Sequence, residues 1–209
     1  MEILHETQVF STVDVFALYT KAKSIRIEAH ENYQKRSLRN KYYIQTANGI
    51  KTLTIPLKSG KNRQMPIKSV EISYDENWIK LHLHALQSAY GKSPFFAFYR
   101  ESLELIFLTN HVYLYDFNLA ALRWAMKIIG IRCNILETES YKVQNSGEIQ
   151  FYRDYPWPSP AAGEANPCPY VQVWSKPGTF YYHLSILDLI FCAGPAAYSV
   201  LKESTRVAL

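Results

Sequence analysis

Alternating apolar and polar positions predict β structure in the first third of the chain. In SIRIEAHE, apolar residues at positions 25, 27 and 29 alternate with polar ones, which is typical of a strand with one buried face. His30 would lie on the polar face of that strand. In YYIQTANGIKTLTIPL, Asn48-Gly49 joins two β-rich runs, which indicates a tight hairpin.

Helical spacing of apolar residues dominates most of the remaining chain. Trp78, Leu81, His82, Ala85 and Ala89 share one face of a helix that Gly91 would end. Further helices are predicted within residues 13–20, 93–107, 117–130 and 185–193.

Two segments interrupt this pattern towards the end of the chain. Five prolines and several aromatics between residues 152 and 169 predict an ordered loop or lid rather than a regular element. PYVQVW then predicts a short strand with Val171 and Val173 facing inward and Gln172 on the opposite face.

The order of these elements predicts an α+β fold, since most strands precede most helices. At 209 residues with 48% hydrophobic content, the chain can bury the core of one domain over residues 1–209. We expect a small, mainly antiparallel sheet built around the Asn48-Gly49 hairpin and covered by three or four helices.

The net charge indicates which kinds of partner the chain could bind, and the cysteines indicate whether metal sites or disulfides are expected. A net charge of +5 favours anionic partners, but 18 acids among 23 bases make a specific nucleic-acid domain a weak prediction. Cys133, Cys168 and Cys192 form no metal spacing, and an odd count argues against a disulfide framework. With neither a signal-peptide pattern nor a long apolar run, the chain is expected to be cytoplasmic and without a transmembrane segment.

The stretch AHENYQKRSLRNKYYI is the strongest candidate binding segment. Lys35, Arg36, Arg39 and Lys41 lie within seven residues, and guanidinium and ammonium groups suit phosphate or carboxylate. Asn32 and Asn40 could orient a ligand. The alternative is a solvated basic loop, because charge runs often only face water.

Histidine and carboxylate positions supply further candidates. His30 can move a proton, because imidazole is the side chain that titrates nearest neutral pH, but it could equally be a surface histidine. His82 and His84 lie two apart on a predicted helix and therefore cannot share one metal ion. His82 is better explained as a hydrogen-bonded core residue, and no metal site is predicted. Ser185 and Asp188 fit either a helix cap or an anion site at a helix start.

Four blocks together resemble the WbqC-like protein family, most of all its short form associated with Bacteroides-type bacteria. They are HENYQKRSLRNKYYIQTANGIKTLTIPL, SYDENWIKLHLHALQSAYGKSPFF, DFNLAAL and LSILDLIFCAGP, in that order. The resemblance implies a link with O-antigen and other surface-polysaccharide gene sets, and it implies no particular reaction. TQVFSTVDVF departs from the proline-aromatic run expected before the first helix.

These observations lead to one functional hypothesis and one alternative. The hypothesis is a transferase-like enzyme of surface-polysaccharide assembly that acts on an anionic or nucleotide-activated sugar. The alternative is a non-catalytic protein that binds a glycan or a partner enzyme. The sequence contains no phosphate-binding glycine-rich loop. It identifies neither a cofactor nor an oligomeric state.

The hypothesis places the candidate residues in one cleft. His30 would be catalytic, and the expected substrate-binding residues are Asn32, Lys35, Arg39, Asn40, Gln172, Ser185 and Asp188. Arg39 is expected at the surface, where it would bind the ligand and contribute little to stability.

Overall fold

A computed structural model describes residues 1–58, 64–141, 149–153, 155–164 and 170–207. Its strands are β1 (Glu2–His5), β2 (Ser24–Ile27), β3 (Lys41–Thr46), β4 (Gly49–Thr54), β5 (Asn134–Glu137), β6 (Ile149–Phe151), β7 (Ala161–Glu164) and β8 (Thr179–Tyr182). Its α-helices are α1 (Val13–Tyr19), α2 (Trp78–Tyr90), α3 (Phe96–Leu108), α4 (Leu114–Ile129), α5 (Ile186–Ala193) and α6 (Ala197–Val207). Helices and small sheets are therefore both present, as an α+β protein requires.

The largest sheet among the described residues has four parallel strands in the order β5-β2-β1-β6. Ile3 of β1 is aligned with Ile25 of β2, which is aligned with Ile135 of β5. Helix α1 connects β1 to β2, because two parallel strands need a crossover between them. The prediction of a mainly antiparallel sheet is wrong for this sheet. The pattern within a strand does not reveal its partner, and the four-residue β1 was not recognised as a strand.

The predicted hairpin is confirmed, although it forms a sheet of its own. β3 pairs with β4 in antiparallel fashion, and Thr46 lies opposite Gly49 across the two-residue turn. Gly49 has a φ of +101°, a backbone conformation that residues with a side chain rarely adopt, so glycine is favoured at this position. Tyr42 and Ile44 are buried on one face of β3, as period-2 alternation requires.

The helices pack their apolar faces into one hydrophobic cluster that extends from Ile3 to Leu201. Helix α4 ends at Gly130, whose left-handed backbone suits a helix end. The described residues contain six α-helices rather than three or four. Helix α1 was among the helices predicted from the sequence, whereas α6 was not.

The two segments after residue 150 differ from their predictions. Part of the proline-rich segment forms β7, which pairs with β8, so it is not wholly irregular. Residues 170–174 form no strand, and Val171 is 87% exposed while Gln172 is buried. The side-chain amide of Gln172 donates to the Tyr181 carbonyl oxygen and accepts from the Tyr181 N–H. These bonds hold Gln172 in the interior, in place of the inward-facing valines that the sequence pattern suggested. Cys168 lies outside the described residues.

His82 is a core residue, as its position on the apolar face of α2 predicted. Its Nε2 lies 3.2 Å from the Thr54 carbonyl oxygen, to which it donates, and Nδ1 then accepts from the Tyr42 hydroxyl at 3.1 Å. Burial lowers the pKa of His82 to about 4.

The low pKa of His82 predicts a loss of stability in acid. The unfolded histidine takes up a proton below its ordinary pKa of 6.5, while the folded one stays neutral until about pH 4. The free energy of unfolding should therefore fall as pH drops through this window, by roughly 2–3 kcal/mol from this group alone. Urea unfolding at about pH 7 and pH 4.5 measures it. His82→Gln should lack this part of the decrease, and an identical decrease in both proteins would contradict the assignment.

Candidate functional site

Polar side chains collect where the strands of the parallel sheet end. Glu6 and Gln8 follow β1, Glu28 follows β2, Thr138 follows β5 and Arg153 follows β6. The carboxyl ends of parallel strands lie along one sheet edge, which is where open sheets of this kind bind ligands. We call this region the carboxyl edge.

Glu28 joins three of these strand ends. Its carboxylate accepts hydrogen bonds from Arg153 Nη1 at 2.6 Å and from Thr138 Oγ1 at 2.7 Å. It also accepts from the backbone N–H of His30 at 2.9 Å. The side chain of Glu28 is fully buried and that of Arg153 is 9% exposed, so this ion pair is part of the scaffold.

A second buried ion pair closes the segment that carries the predicted binding residues. Arg39 Nε donates to Glu31 Oε1 at 2.9 Å, and Arg39 Nη2 donates to Glu31 Oε2 at 2.5 Å. The two side chains are only 2% and 3% exposed. Asn118 of α4 also donates to the backbone carbonyl of Arg39 at 2.9 Å. The expectation of a surface Arg39 is therefore wrong, because its guanidinium is directed at a buried carboxylate.

Residues 32–38, between the two partners of this ion pair, form the basic loop. The loop borders a cavity of about 790 Å³, the basic cavity, which is also lined by His30, Glu31, Gln64 and Tyr141. Three of the residues predicted for the site line this cavity: His30, Asn32 and Lys35. His30 and Asn32 are exposed, as are the cations Lys35 and Arg36. Charged donors of this kind can bind phosphate or carboxylate.

A smaller cleft of about 250 Å³ also borders the basic loop, and we call it the aromatic cleft. Its lining residues are Glu6, Gln8, Gln34, Arg36, Ser37, Leu38, Arg39, Lys41, Tyr43, Tyr155, Pro156, Trp157 and Ser159. Gln34 and Arg36 also line the basic cavity, so the two spaces share a wall. The aromatic-proline segment is thus placed beside the basic stretch.

His5 packs against Trp157, one of the residues that line the aromatic cleft. Its ring centroid is 5.7 Å from that of Trp157 and 6.0 Å from that of Tyr19. Nδ1 donates to the Glu6 carbonyl oxygen at 2.6 Å, and Nε2 has no hydrogen-bond partner among the described residues. Burial lowers the pKa of His5 and so favours the neutral form of its ring.

The other predicted binding residues have different surroundings. Asn40 accepts a hydrogen bond from the Tyr33 hydroxyl and donates to the Ile55 carbonyl, both at 3.0 Å, so its amide connects the Tyr33 side chain to the backbone of Ile55. It lines neither the basic cavity nor the aromatic cleft.

Gln172 and Asp188 form a separate group that lines neither space. Ser185 also lines neither, but it lines a small crevice together with Leu38 and Lys41, at the end of the basic loop. Asp188 accepts from the Tyr170 hydroxyl at 2.6 Å and from Gln172 Nε2 at 3.0 Å. Burial raises the pKa of Asp188, while these two hydrogen bonds oppose the rise. Ser185 precedes α5 but makes no side-chain cap bond, so the predicted capping box does not form. The structure therefore brings Gln172 and Asp188 together, but apart from the basic loop.

Glu6 and Gln8 are residues of the site that sequence reasoning missed. They follow a strand of only four residues, and nothing in their spacing distinguishes them from a polar terminus. The one available signal was two apolar residues, Ile3 and Leu4, directly before a polar run. Among the described residues, no group of three His, Cys, Asp or Glu side chains could hold a metal ion.

Comparison with known protein families identifies the chain. The profile of the WbqC-like protein family matches residues 9–153 of the 209. The chain belongs to this family. Searches of curated proteins and of solved structures found no match. The match to the WbqC-like family includes the basic loop and the Glu31–Arg39 ion pair, whereas Trp157 and the group around Asp188 lie beyond it. No helix in the described part of this WbqC-like chain has the length and apolar character needed to cross a membrane.

Because Arg39 pairs with a buried carboxylate, we expect its side chain to be important for the stability of this WbqC-like protein. Arg39→Ala removes the guanidinium that faces the buried Glu31 carboxylate, and we expect the free energy of unfolding to fall by about 3–5 kcal/mol. Chemical denaturation measures the change. The control, Arg123→Ala on the exposed face of α4, should change it by no more than about 0.5 kcal/mol. A loss below about 1 kcal/mol for Arg39→Ala would show that the ion pair does not hold the loop.

Proposed function

We propose that this WbqC-like protein is a transferase-like enzyme of surface-polysaccharide assembly, of the O-antigen type, that acts on an anionic or nucleotide-activated sugar. The observation that carries the proposal is the basic cavity, where His30, Asn32, Lys35 and Arg36 line one open space. Its volume of about 790 Å³ is in the range of small-molecule sites.

Each of these residues has a distinct role in the proposal. Lys35 supplies a mobile positive charge and Arg36 a planar donor fork, and both suit the oxygens of a phosphate or carboxylate. Asn32 can donate and accept, so it can fix the orientation of a bound group. His30 lines the same cavity, and its imidazole ring would accept or donate the proton that a transfer step requires.

A non-catalytic binding role is the second candidate. It is favoured by the buried Glu31–Arg39 pair, since the carboxylate nearest the basic loop is committed to a guanidinium. Among the described residues that line the basic cavity, His30 is then the one proposed to carry a proton. A protein that only holds a glycan intermediate needs the cations and not the histidine.

Lys35 should contribute to ligand binding without supporting the fold. With UDP-, GDP-, dTDP- and CMP-sugars as probes, isothermal titration calorimetry should show a Kd about 10-fold higher for Lys35→Ala, which corresponds to roughly 1.4 kcal/mol. The melting temperature should not change, because Lys35 is exposed. Lys80→Ala, an exposed lysine on α2, is the matched control and should bind like the wild type. Absence of binding to every probe by the wild type would reject the proposal.

His30 separates the two candidate functions. His30→Gln should leave the Kd of a bound nucleotide sugar within about twofold and lower turnover by a factor of about 10²–10⁴, the range of general acid–base catalysis. Turnover is followed as nucleotide released in the presence of mixed glycan acceptors. Tight binding by the wild type without any release would favour the binding role, and full activity of His30→Gln would remove His30 from the mechanism.

A further inference from the structure

Two residues that line the aromatic cleft have buried polar atoms without hydrogen-bond partners among the described residues. Gln8 is 4% exposed and donates to Glu6 Oε1 at 2.8 Å, but its own Oε1 has no hydrogen-bond partner among the described residues. The indole Nε1–H of Trp157 is also buried without a partner there. Leaving such groups unsatisfied costs about 1–3 kcal/mol each, so a missing partner is expected. One acceptor and one donor together suit hydroxyl groups, which both donate and accept.

Aromatic rings form one wall of the same cleft. Tyr155 and Trp157 have ring centroids 4.7 Å apart, and Tyr152 stacks on Trp157 with an interplanar angle of 25°. Tyr155 remains 49% exposed, so its ring is accessible to a ligand. Flat apolar rings beside a few directed polar atoms are what a sugar ring requires, because its C–H groups and its hydroxyls lie in different directions.

Arg36 connects this cleft to the basic cavity. It lines both spaces and has φ of +61°, a left-handed backbone that is uncommon for a residue other than glycine. Such conformations persist where the surrounding structure imposes them, and they are enriched at ligand sites. A ligand that occupies both spaces would therefore lie against Arg36.

We propose that the aromatic cleft is the sugar subsite for the same ligand whose anionic part occupies the basic cavity. The ligand class is a nucleotide-activated sugar, and the inference rests on the proposed function. Its sugar ring lies against Tyr155 and Trp157, and its hydroxyls bond to Gln8 Oε1 and Trp157 Nε1 after these side chains turn towards the ligand. Its phosphates lie at Arg36, and its nucleoside extends into the basic cavity.

The test compares each nucleotide sugar with its own nucleoside diphosphate or monophosphate, which lacks the sugar. Trp157→Phe keeps an aromatic ring and removes the N–H, while Tyr155→Ala removes an exposed ring. Both variants should raise the Kd of UDP-, GDP-, dTDP- or CMP-sugar about 5- to 10-fold and leave the Kd of the matching nucleotide within about twofold. Lys35→Ala should weaken both ligands. Phe98→Ala, an exposed aromatic on α3, is the control and should change neither.

The outcomes distinguish the subsite from the proposed function. If Lys35→Ala weakens binding but Trp157→Phe and Tyr155→Ala do not, the sugar subsite is wrong and the basic cavity stands. If the two aromatic variants weaken sugar-bearing and sugar-free nucleotides equally, the cleft does not hold the sugar and the inference is also overturned. If no nucleotide or nucleotide sugar binds the wild type, the proposed function and the subsite fail together. Thermal melts confirm that each variant is folded.

Discussion

The buried ion pair between Glu31 and Arg39 is the constraint on which the candidate site depends. Removing two charges from water is costly, and a bidentate pair recovers that cost only in a well-fixed geometry. Here the geometry fixes both ends of a seven-residue loop, so Arg36 is held beside Glu6 and Gln8 of the carboxyl edge. Such a pair is better understood as a device for specifying one arrangement than as a net source of stability.

The parallel sheet explains why residues distant in sequence share one site. Gln8 follows β1, Arg36 lies beyond β2 and Trp157 follows β6, yet all three line the aromatic cleft. Parallel strands direct their following segments to the same edge, so each strand adds one segment there. The Glu28–Arg153 pair holds two of these segments together beneath the surface.

Local features of the molecule followed from the sequence, whereas long-range features did not. The hairpin at Gly49 depends on neighbouring residues, so a local pattern was enough to predict it. His30, Asn32 and Lys35 are close in sequence and line one cavity, whereas the more distant residues predicted with them do not line it. The partner of Arg39 depends on folding the basic loop back onto Glu31, and a charge run alone gives no sign of that. The short strand β1 and the buried Gln172 were missed or misplaced for the same reason, since tertiary hydrogen bonds determine both.

Hydrogen–deuterium exchange is the most direct test of the claim that the basic loop is the binding surface. The protein is compared with and without a saturating nucleotide sugar, and protection is read peptide by peptide. We predict slower exchange in peptides that cover residues 30–38, with no change around Gln172 and Asp188. Protection confined to the peptides around Asp188, with none in the basic loop, would contradict the account.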